Sequence, residues 1–138
     1  MIEQTITTSF KQDILQALQD LSTDVLFMAL YTGNASIGAD TTVYSVVNEV
    51  VGTGYLEGGK LCQNVTINTS GSTVYISFDN LLWSPASFTC RGALIYNQTK
   101  GNKSIAVLNF GSDKTAGPNF VVTMPQNTVT TALIRSSF

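Results

Sequence analysis

The first regular pattern of apolar positions in the chain is helical. Four apolar residues recur at spacings of four, four and three, as on one face of a helix: Phe10, Ile14, Leu18 and Leu21. Ser9 followed by Gln12 has the form of a capping box, which marks a helix start. The pattern predicts a helix over residues 9–22. Because a short helix needs tertiary burial to persist, we expect its apolar face to pack on the protein body or on a neighbouring subunit.

The segment before the helix, residues 1–8, alternates in the manner of a strand. Ile2, Gln4 and Ile6 fall on one side and Glu3 and Thr5 on the other. This pattern predicts a short strand or an extended N-terminal arm. Since no local partner is evident, we expect the arm to add to the sheet edge of a neighbouring copy.

After Asp24 the pattern changes to that of strands. Residues 25–31 form a wholly apolar run, typical of a central strand buried on both faces. Residues 32–42 carry the turn-forming residues of a loop. Residues 43–51 are rich in β-branched residues but contain Asn48 and Glu49, and the pattern leaves helix and strand open. Four glycines between residues 52 and 59 then indicate a turn region.

Two hairpins and two further strands are predicted in the rest of the chain. The first hairpin pairs 61–67 with 73–78 around a turn at 69–72, and the second pairs 88–97 with 104–110. A loop is predicted over 111–119, a strand over 120–124, and a last strand over 129–135. Seven or eight short antiparallel strands and one short N-terminal helix indicate a mainly β fold, a β-sandwich or jelly roll. We expect a single β-rich domain over 9–138, preceded by the arm.

Composition narrows the possible functions. Charged residues make up only 12 % of the 138 residues, and the formal net charge is −2, so we expect neither nucleic acid nor an anionic membrane as partner. Histidine is absent, which excludes Ser–His–Asp triads, Cys–His pairs and histidine-ligated metals. No apolar run approaches the roughly 20 residues that span a bilayer. The first residues lack the pattern of a secretory signal, so folding in a reducing cytoplasm is expected.

Few motifs suggest chemistry. The run from Gly52 to Gly59 does not have the glycine spacing of a dinucleotide loop, and we interpret it as a tightly turning loop. The acidic residues show no local pairing of the kind that a glycosidase or a calcium site needs. Cys62 and Cys90 fit no metal or redox motif. We interpret them as small buried apolar residues, with a mutual disulfide as the alternative if their strands are adjacent. No catalytic, cofactor-binding or metal-ligating residue is predicted.

Two single residues have more than one interpretation. Trp83, the one tryptophan, is either a plug in the core or an interface, or a platform on which a sugar stacks. Arg91 lies in the middle of a predicted strand. We expect it to form a structural ion pair, with Glu49 or Asp79 as candidate partners.

An ordered set of short motifs resembles a family of small virion proteins from tailed bacteriophages and prophages. The motifs, in chain order, are Ala29-Leu30-Tyr31-Thr32, Asn48-Glu49-Val50 with Gly52-Thr53-Gly54-Tyr55 and Gly58-Gly59, Trp83, Phe88-Thr89 with Arg91-Gly92-Ala93-Leu94-Ile95-Tyr96, and Ile105-Ala106-Val107-Leu108 with Phe110-Gly111 and Asp113-Lys114. They span roughly residues 25–115. Some similar small β-rich phage proteins act as cement, or decoration, on the capsid. The resemblance implies a structural role and no catalytic residues.

The expected function is therefore non-enzymatic: a capsid cement or decoration subunit that stabilises the phage head. It would assemble with itself as a dimer or trimer and with the major capsid protein or other virion proteins. It would reside in the virion after folding in the host bacterial cytoplasm. Candidate interface or packing residues are Ile2, Gln4, Ile6, Phe10, Ile14, Leu18, Trp83 and Arg91. The alternatives are a tail, baseplate or fibre-associated virion protein, and a carbohydrate-binding β-sandwich that uses Trp83.

Overall fold

The computed structural model describes residues 1–128 and 130–136, which form one helix and ten strands. In chain order these are β1 Thr5–Ile6, α1 Thr8–Leu15, β2 Leu26–Tyr31, β3 Lys60–Leu61, β4 Thr66–Ser70, β5 Thr73–Ser77, β6 Leu81–Trp83, β7 Phe88–Asn97, β8 Lys103–Ala116, β9 Phe120–Val122 and β10 Ile134–Ser136. The mainly β prediction with one short helix is confirmed.

The strands form three antiparallel sheets. A five-stranded sheet has the order β1-β8-β7-β2-β3, a three-stranded sheet the order β10-β5-β4, and β6 pairs with β9. The β7–β8 hairpin is the longest ladder, running from Phe88 opposite Ala116 to Asn97 opposite Lys103. The arrangement is a β-sandwich-like fold, in which the five-stranded sheet is the larger layer.

The central strands of the five-stranded sheet, β2 and β7, are buried on both faces over most of their length. Along β2, Met28 and Leu30 face one cluster while Ala29 and Tyr31 face another, because side chains alternate along a strand. The first cluster lies against the two smaller sheets and α1. The second is covered by the long loop between β2 and β3. The predicted burial of 25–31 on both faces is thus confirmed over Leu26–Tyr31.

The helix is shorter than the predicted range of 9–22. It begins one residue earlier, with Thr7 rather than Ser9 as the N-cap, since the Thr7 hydroxyl accepts a hydrogen bond from the Phe10 N–H. It ends at Leu15, and Ala17 follows in the left-handed region with φ 57°. Phe10 and Leu21 are buried as expected. Ile14 and Leu18 are 45 % and 44 % exposed, so these two residues do not pack fully on the protein body, and their packing on a neighbouring subunit stays a prediction.

A buried polar network explains why the helix stops. Gln19 donates to the carboxylate of Asp13 at 3.0 Å and accepts from the Asn97 side chain at 3.0 Å. Residues six apart lie on different faces of a continuous helix, so Gln19 meets Asp13 only because the chain turns back between them. Asn97 also donates to Asp24 at 2.8 Å. The network ties the segment after α1 to the β7–β8 hairpin.

The N-terminal arm pairs with its own chain. Thr5 and Ile6 of β1 lie opposite Val107 and Ala106 of β8, and Ile2 forms a parallel bridge with Ile37. Ile2 is buried. The expectation that the arm lacks a local partner and adds to a neighbour's sheet is therefore wrong. The partner strand lies about a hundred residues away, where no local pattern indicates it.

Strand β8 continues through part of the predicted loop 111–119. Its second half pairs with the start of β7, with Thr115 opposite Thr89 and Lys114 opposite Cys90. The register shifts between Cys90 and Gly92, and Gly111 has φ +83°. Gly111 therefore marks a bulge in a long, bent strand rather than a turn that ends one.

The predicted strand 61–67 is two short strands in different sheets. Lys60–Leu61 pairs with β2, whereas β4 begins only at Thr66 and pairs with β5. Asn64, with φ 56°, lies at the break between them. At the C-terminal end β10 covers Ile134–Ser136, shorter than the predicted 129–135, and Val129 lies outside the described residues. Thr128 and Thr131 instead form a hydrogen-bonded turn.

Candidate functional site: the 32–59 loop

The segment between β2 and β3, residues 32–59, contains no helix or strand of its own. We call it the 32–59 loop. It covers the outer face of the five-stranded sheet, where Ala35, Ile37 and Tyr44 pack against Tyr31 and Leu94. A loop of this length without regular structure is uncommon in a compact domain and is typically functional.

Residues 48–50 hold the loop to the edge of β2. The Thr32 N–H donates to the Asn48 carbonyl at 3.0 Å, and the Val50 N–H donates to the Leu30 carbonyl at 2.9 Å. Tyr31 and Glu49 form an antiparallel bridge between these two bonds. Residues 48–50 therefore lie along the same edge of β2 as β3 does, next to the later residues of β2. The sequence pattern leaves strand and helix open there.

The side chain of Glu49 is the centre of the loop. It is buried, and it accepts hydrogen bonds from the Tyr44 hydroxyl at 2.6 Å, the Tyr55 hydroxyl at 2.5 Å and the Gly58 N–H at 2.9 Å. No ion pair with Glu49 occurs in the described part of the chain. Three donors from different parts of the loop thus converge on one carboxylate, and hydrogen bonds of this charge-assisted kind are the strong ones.

Two further tyrosines attach the sheet to the loop. The Tyr31 hydroxyl donates to the Ser45 carbonyl at 2.6 Å, and the Tyr96 hydroxyl donates to the Gly58 carbonyl at 2.6 Å. The rings of Tyr44 and Tyr96 stack with their centroids 4.7 Å apart. Loop residues on both sides of Glu49 are therefore fixed to β2 and β7.

Burial raises the pKa of these tyrosines. It is the main cause for Tyr31, Tyr44 and Tyr55, and the hydrogen bond to Glu49 adds to it for Tyr44 and Tyr55. For Tyr96 the pKa rises to about 12, with burial first and the nearby Glu49 charge second. The hydroxyls therefore stay protonated and act as donors throughout the neutral range.

The glycine run at 52–59 is a tightly turning loop, as interpreted. At Gly59, φ is +86° and an added Cβ would lie 1.9 Å from the Met28 carbonyl oxygen. At Gly54, φ is +85° and a Cβ would lie 1.9 Å from the Pro85 carbonyl oxygen. Only glycine permits so close an approach of two backbones. The glycines thus let the loop lie directly on β2 and on the segment before β7.

The loop exposes large apolar side chains among polar ones. Five of them lie in the fourteen-residue stretch 43–56: Val43, Val46, Val47, Val51 and Leu56. Val51 is 96 % exposed and Leu56 is 79 % exposed. The exposed charged residues of the loop are Asp40 and Glu57. These five apolar side chains are the candidates for an interaction surface.

The carboxylate of Glu49 is engaged within the loop itself. Both oxygens of Glu49 are occupied by donors from its own chain, so the carboxylate organises the loop rather than facing solvent. Within residues 1–128 and 130–136 no group of three or more acidic or cysteine side chains is placed to hold a metal ion. What the loop offers is a fixed backbone with short, stiff side chains pointing outward.

Trp83 is a core plug. It is 2 % exposed and packs near Tyr55 and Phe120, with the Lys60 ammonium 5.7 Å from the ring centroid. A buried ring gives a sugar no face to stack on, so the platform interpretation of Trp83 is wrong. Its position between the loop residue Tyr55 and the β9 residue Phe120 links the loop to the core.

Arg91 forms an ion pair, but neither expected partner is correct. Its guanidinium lies 3.3 Å from Asp113 and also donates to the Gly111 carbonyl at 3.3 Å. The pairing bridges the bulged part of the β7–β8 hairpin. Glu49 is occupied by the tyrosines, and Asp79 accepts instead from Asn64 at 2.6 Å.

The remaining candidate residues fall into two groups. Ile2 and Ile6 of the arm pack inside their own chain, and Gln4 accepts a hydrogen bond from the Asn109 N–H at 3.1 Å. Phe10 is buried in the main core, whereas Ile14 and Leu18 stay half-exposed beside it. Of these residues, Ile2 contacts the 32–59 loop, through its bridge with Ile37.

The two cysteines are buried and free. Burial raises the pKa of both thiols to about 12. The interpretation as small buried apolar residues is confirmed, and the disulfide alternative is wrong.

Sequence reasoning missed Glu49, Tyr44 and Tyr55 as a cluster. In the sequence, the one local indication of this cluster is the polar pair Asn48-Glu49 between valines. By itself that pair indicates only that a β pattern is interrupted. A charged residue flanked by apolar ones indicates either exposure or a buried partner set. Only the fold distinguishes the two.

Comparison with known proteins does not assign the chain to a family: no family model, no curated protein and no solved structure matches it. Over the described residues, no helix has the length and hydropathy needed to cross a membrane. The virion interpretation therefore depends on the motifs and on the properties of the loop surface.

Proposed function

We propose that this chain is a non-enzymatic virion structural protein of a tailed bacteriophage or prophage, and that it binds the assembled capsid as a cement or decoration subunit. The ordered motifs that resemble small phage virion proteins support the class of protein. The observation that carries the proposal is the 32–59 loop, an apolar surface held rigid by the buried Glu49.

Rigidity matters because binding costs entropy. Ordering a flexible loop at an interface reduces affinity, whereas a preorganised one retains more of the interaction energy. Here Glu49 and the hydroxyls of Tyr31 and Tyr96 fix the loop before any partner arrives. Four of the five large apolar side chains that the loop exposes are valines, which have few rotamers to lose on contact.

The free energy of binding expected for one subunit fits a particle that binds many copies. Full burial of one Val or Leu side chain stabilises by about 1.5–3 kcal/mol. A handful of such contacts, less the cost of association, gives modest affinity per subunit. On a symmetric shell the same contact recurs many times, so modest contacts become a strong assembly.

The low charge of the surface predicts the salt dependence. Asp40 and Glu57 are the exposed charges of the loop, and binding through Val47, Val51 and Leu56 is apolar. Apolar contacts are not screened by salt, whereas ion pairs between exposed groups are. Binding to the particle is therefore expected to change little between low and moderate ionic strength.

Reconstitution tests the proposal. Phage particles assembled without this protein are mixed with the purified chain and sedimented. We expect the wild-type chain to bind heads in many copies. The triple variant Val47→Ser, Val51→Ser, Leu56→Ser should lose at least about tenfold in affinity, a difference of about 1.4 kcal/mol.

The matched control is Val121→Ser on β9, which removes a half-exposed valine elsewhere on the surface. It should bind as the wild type does. Circular dichroism of each variant checks that the fold is retained. Equal binding by the triple variant would remove the loop from the proposal, and binding to tails instead of heads would replace the cement role with the tail-associated one.

A further inference from the structure

A second surface of the molecule has the features of a pairing edge. Strand β4, Thr66–Ser70, is the outer strand of the three-stranded sheet, and all five of its residues are exposed. Among residues 1–128 and 130–136, the side-chain hydrogen bond that reaches β4 from outside the hairpin is the one that Asn127 donates to the Thr66 hydroxyl, at 3.1 Å. No described strand pairs with the outer edge of β4.

The hairpin geometry determines which backbone groups face outward. Ser70 and Thr73 flank the two-residue turn Gly71-Ser72, so they form a hydrogen-bonded pair and alternate residues of β4 bond to β5. Ile67 and Thr69 therefore direct their N–H and C=O groups away from β5. Within residues 1–128 and 130–136, no hydrogen bond outside the ladder engages them.

The outward groups are symmetric about Asn68. If a second copy lies antiparallel with its Asn68 opposite Asn68, each Ile67 faces Thr69 of the second copy. Two residues that face each other in this way exchange two hydrogen bonds, so the two Ile67–Thr69 pairs form four hydrogen bonds between the copies. An edge that repeats its own pattern after a two-fold rotation is what an isologous interface requires.

The charge pattern permits this contact between identical surfaces. Residues 61–78 contain no Lys, Arg, Asp or Glu. Edge strands that avoid pairing usually carry a charge, a proline or a bulge, and β4 carries none of these. A two-fold contact places like residues near one another, so an uncharged edge avoids the repulsion that a charged one would meet.

The apolar face of the same sheet gives a further reason. Ile67, Ile76 and Ile134 lie opposite one another across the three strands. Ile76 is buried, whereas Ile67 and the neighbouring Val74 are half-exposed beside a groove of about 290 Å³ next to α1. Pairing through β4 would cover Ile67 with Thr69 of the second copy, on the same face of a continuous sheet.

We propose that two copies of this chain associate through antiparallel pairing of their β4 strands, centred on Asn68, to form one six-stranded sheet. This surface is separate from the 32–59 loop and goes beyond the proposed function, so it can be tested without any particle. The occupant is a second copy because the edge is uncharged and self-complementary.

Charge substitution at Asn68 tests the proposal. Asn68 is exposed and lies on the face opposite Ile67, so Asn68→Lys and Asn68→Glu leave the core unchanged. In a homodimer each places two like charges directly opposite, which is destabilising. We expect light scattering with size-exclusion chromatography to give a dimer for the wild type and monomers for each variant. An equimolar mixture of the two variants should restore the dimer. The control Thr123→Lys adds the same charge elsewhere and should stay dimeric.

Hydrogen exchange gives an independent measure on the wild type. The amides of Ile67 and Thr69 should exchange more slowly as protein concentration rises, because they bond only in the dimer. A monomeric or trimeric wild type would overturn the proposal, as would dimers that persist in both single variants. A confirmed dimer that is absent from virions would leave this interface standing and contradict only the proposed function.

Discussion

The Tyr55 hydroxyl donates a hydrogen bond to Glu49 at 2.5 Å and accepts one from the Leu30 N–H at 2.8 Å. One phenol thus joins the central strand β2 to the carboxylate that organises the 32–59 loop. The loop is therefore attached to the folded core, and the sheet holds the backbone of its exposed residues in place. A change at Glu49 is expected to alter both the stability of the fold and the proposed binding surface.

Replacing Glu49 should destabilise the fold. Glu49→Ala leaves the buried Tyr55 hydroxyl and the partly buried Tyr44 hydroxyl and Gly58 N–H without their acceptor, and one unsatisfied buried group alone costs about 1–3 kcal/mol. Denaturant titration should show a loss of at least about 2 kcal/mol. Glu49→Gln retains one acceptor oxygen and should lose less.

Glu57→Ala is the control for this prediction. It removes an exposed carboxylate from the same loop, and surface substitutions usually change stability by less than about 0.5 kcal/mol. Equal stability of Glu49→Ala and Glu57→Ala would show that the cluster does not hold the loop.

Along the predicted helical face, an alanine substitution at the buried Phe10 should reduce stability more than one at the half-exposed Leu18. Phe10 is buried in the main core, so Phe10→Ala should cost about 3–5 kcal/mol. Leu18 is nearly half-exposed, so Leu18→Ala should cost less than about 1 kcal/mol. Urea titration of both variants measures the difference. A larger loss for Leu18→Ala than for Phe10→Ala would contradict the described packing.

The cysteines should react slowly in the native protein. Cys62 and Cys90 are buried, and burial raises the pKa of both thiols to about 12, so little thiolate is present at neutral pH. Labelling with an alkylating reagent should proceed quickly only in denaturant, where both thiols react. Rapid labelling of either residue in the folded chain would show that its surroundings are open.

Stability should fall at high pH. Tyr96 has an ordinary pKa of 10.0 when unfolded and about 12 when folded, so the folded state holds its proton more tightly. A raised folded pKa contributes stability that is fully present below pH 10 and is lost as the pH rises toward 12. The raised pKa values of Tyr31, Tyr44 and Tyr55 act in the same direction.

Thermal unfolding followed from pH 8 upward measures this loss. The transition should begin to decline near pH 9, where the thiols of Cys62 and Cys90 ionise in the unfolded state but not in the folded one, and should fall further above pH 10, where the tyrosines do the same. Tyr75 is not part of the hydroxyl network, so the measurement uses the Tyr75→Phe variant. In that variant the absorbance of tyrosinate should rise together with unfolding rather than before it, and tyrosine ionisation in the folded protein would contradict the network.

The strands were predictable where the pattern is local. Phe88–Asn97 has the predicted bounds, and β2 begins one residue after its predicted start, because a continuous apolar run indicates a strand buried on both faces. The hairpin turn at Gly71-Ser72 was predictable from turn chemistry. In each case neighbouring residues determine the structure.

Features set by distant contacts were not predictable. The helix ends at Leu15 because Gln19 bonds to Asp13 and Asn97, and the pairing of β1 depends on β8. The bulge at Gly111 has the composition of a turn. Glu49 could be placed in the candidate site only after the fold brought Tyr44, Tyr55 and Gly58 around it.

Imaging of purified virions at a resolution that distinguishes single subunits decides whether the protein is a capsid cement subunit. We expect density for this protein over the icosahedral shell in many symmetric copies, with the 32–59 loop against the capsid surface. Density confined to the tail or its fibres would contradict the cement role, and absence of the protein from virions would contradict the proposed function altogether.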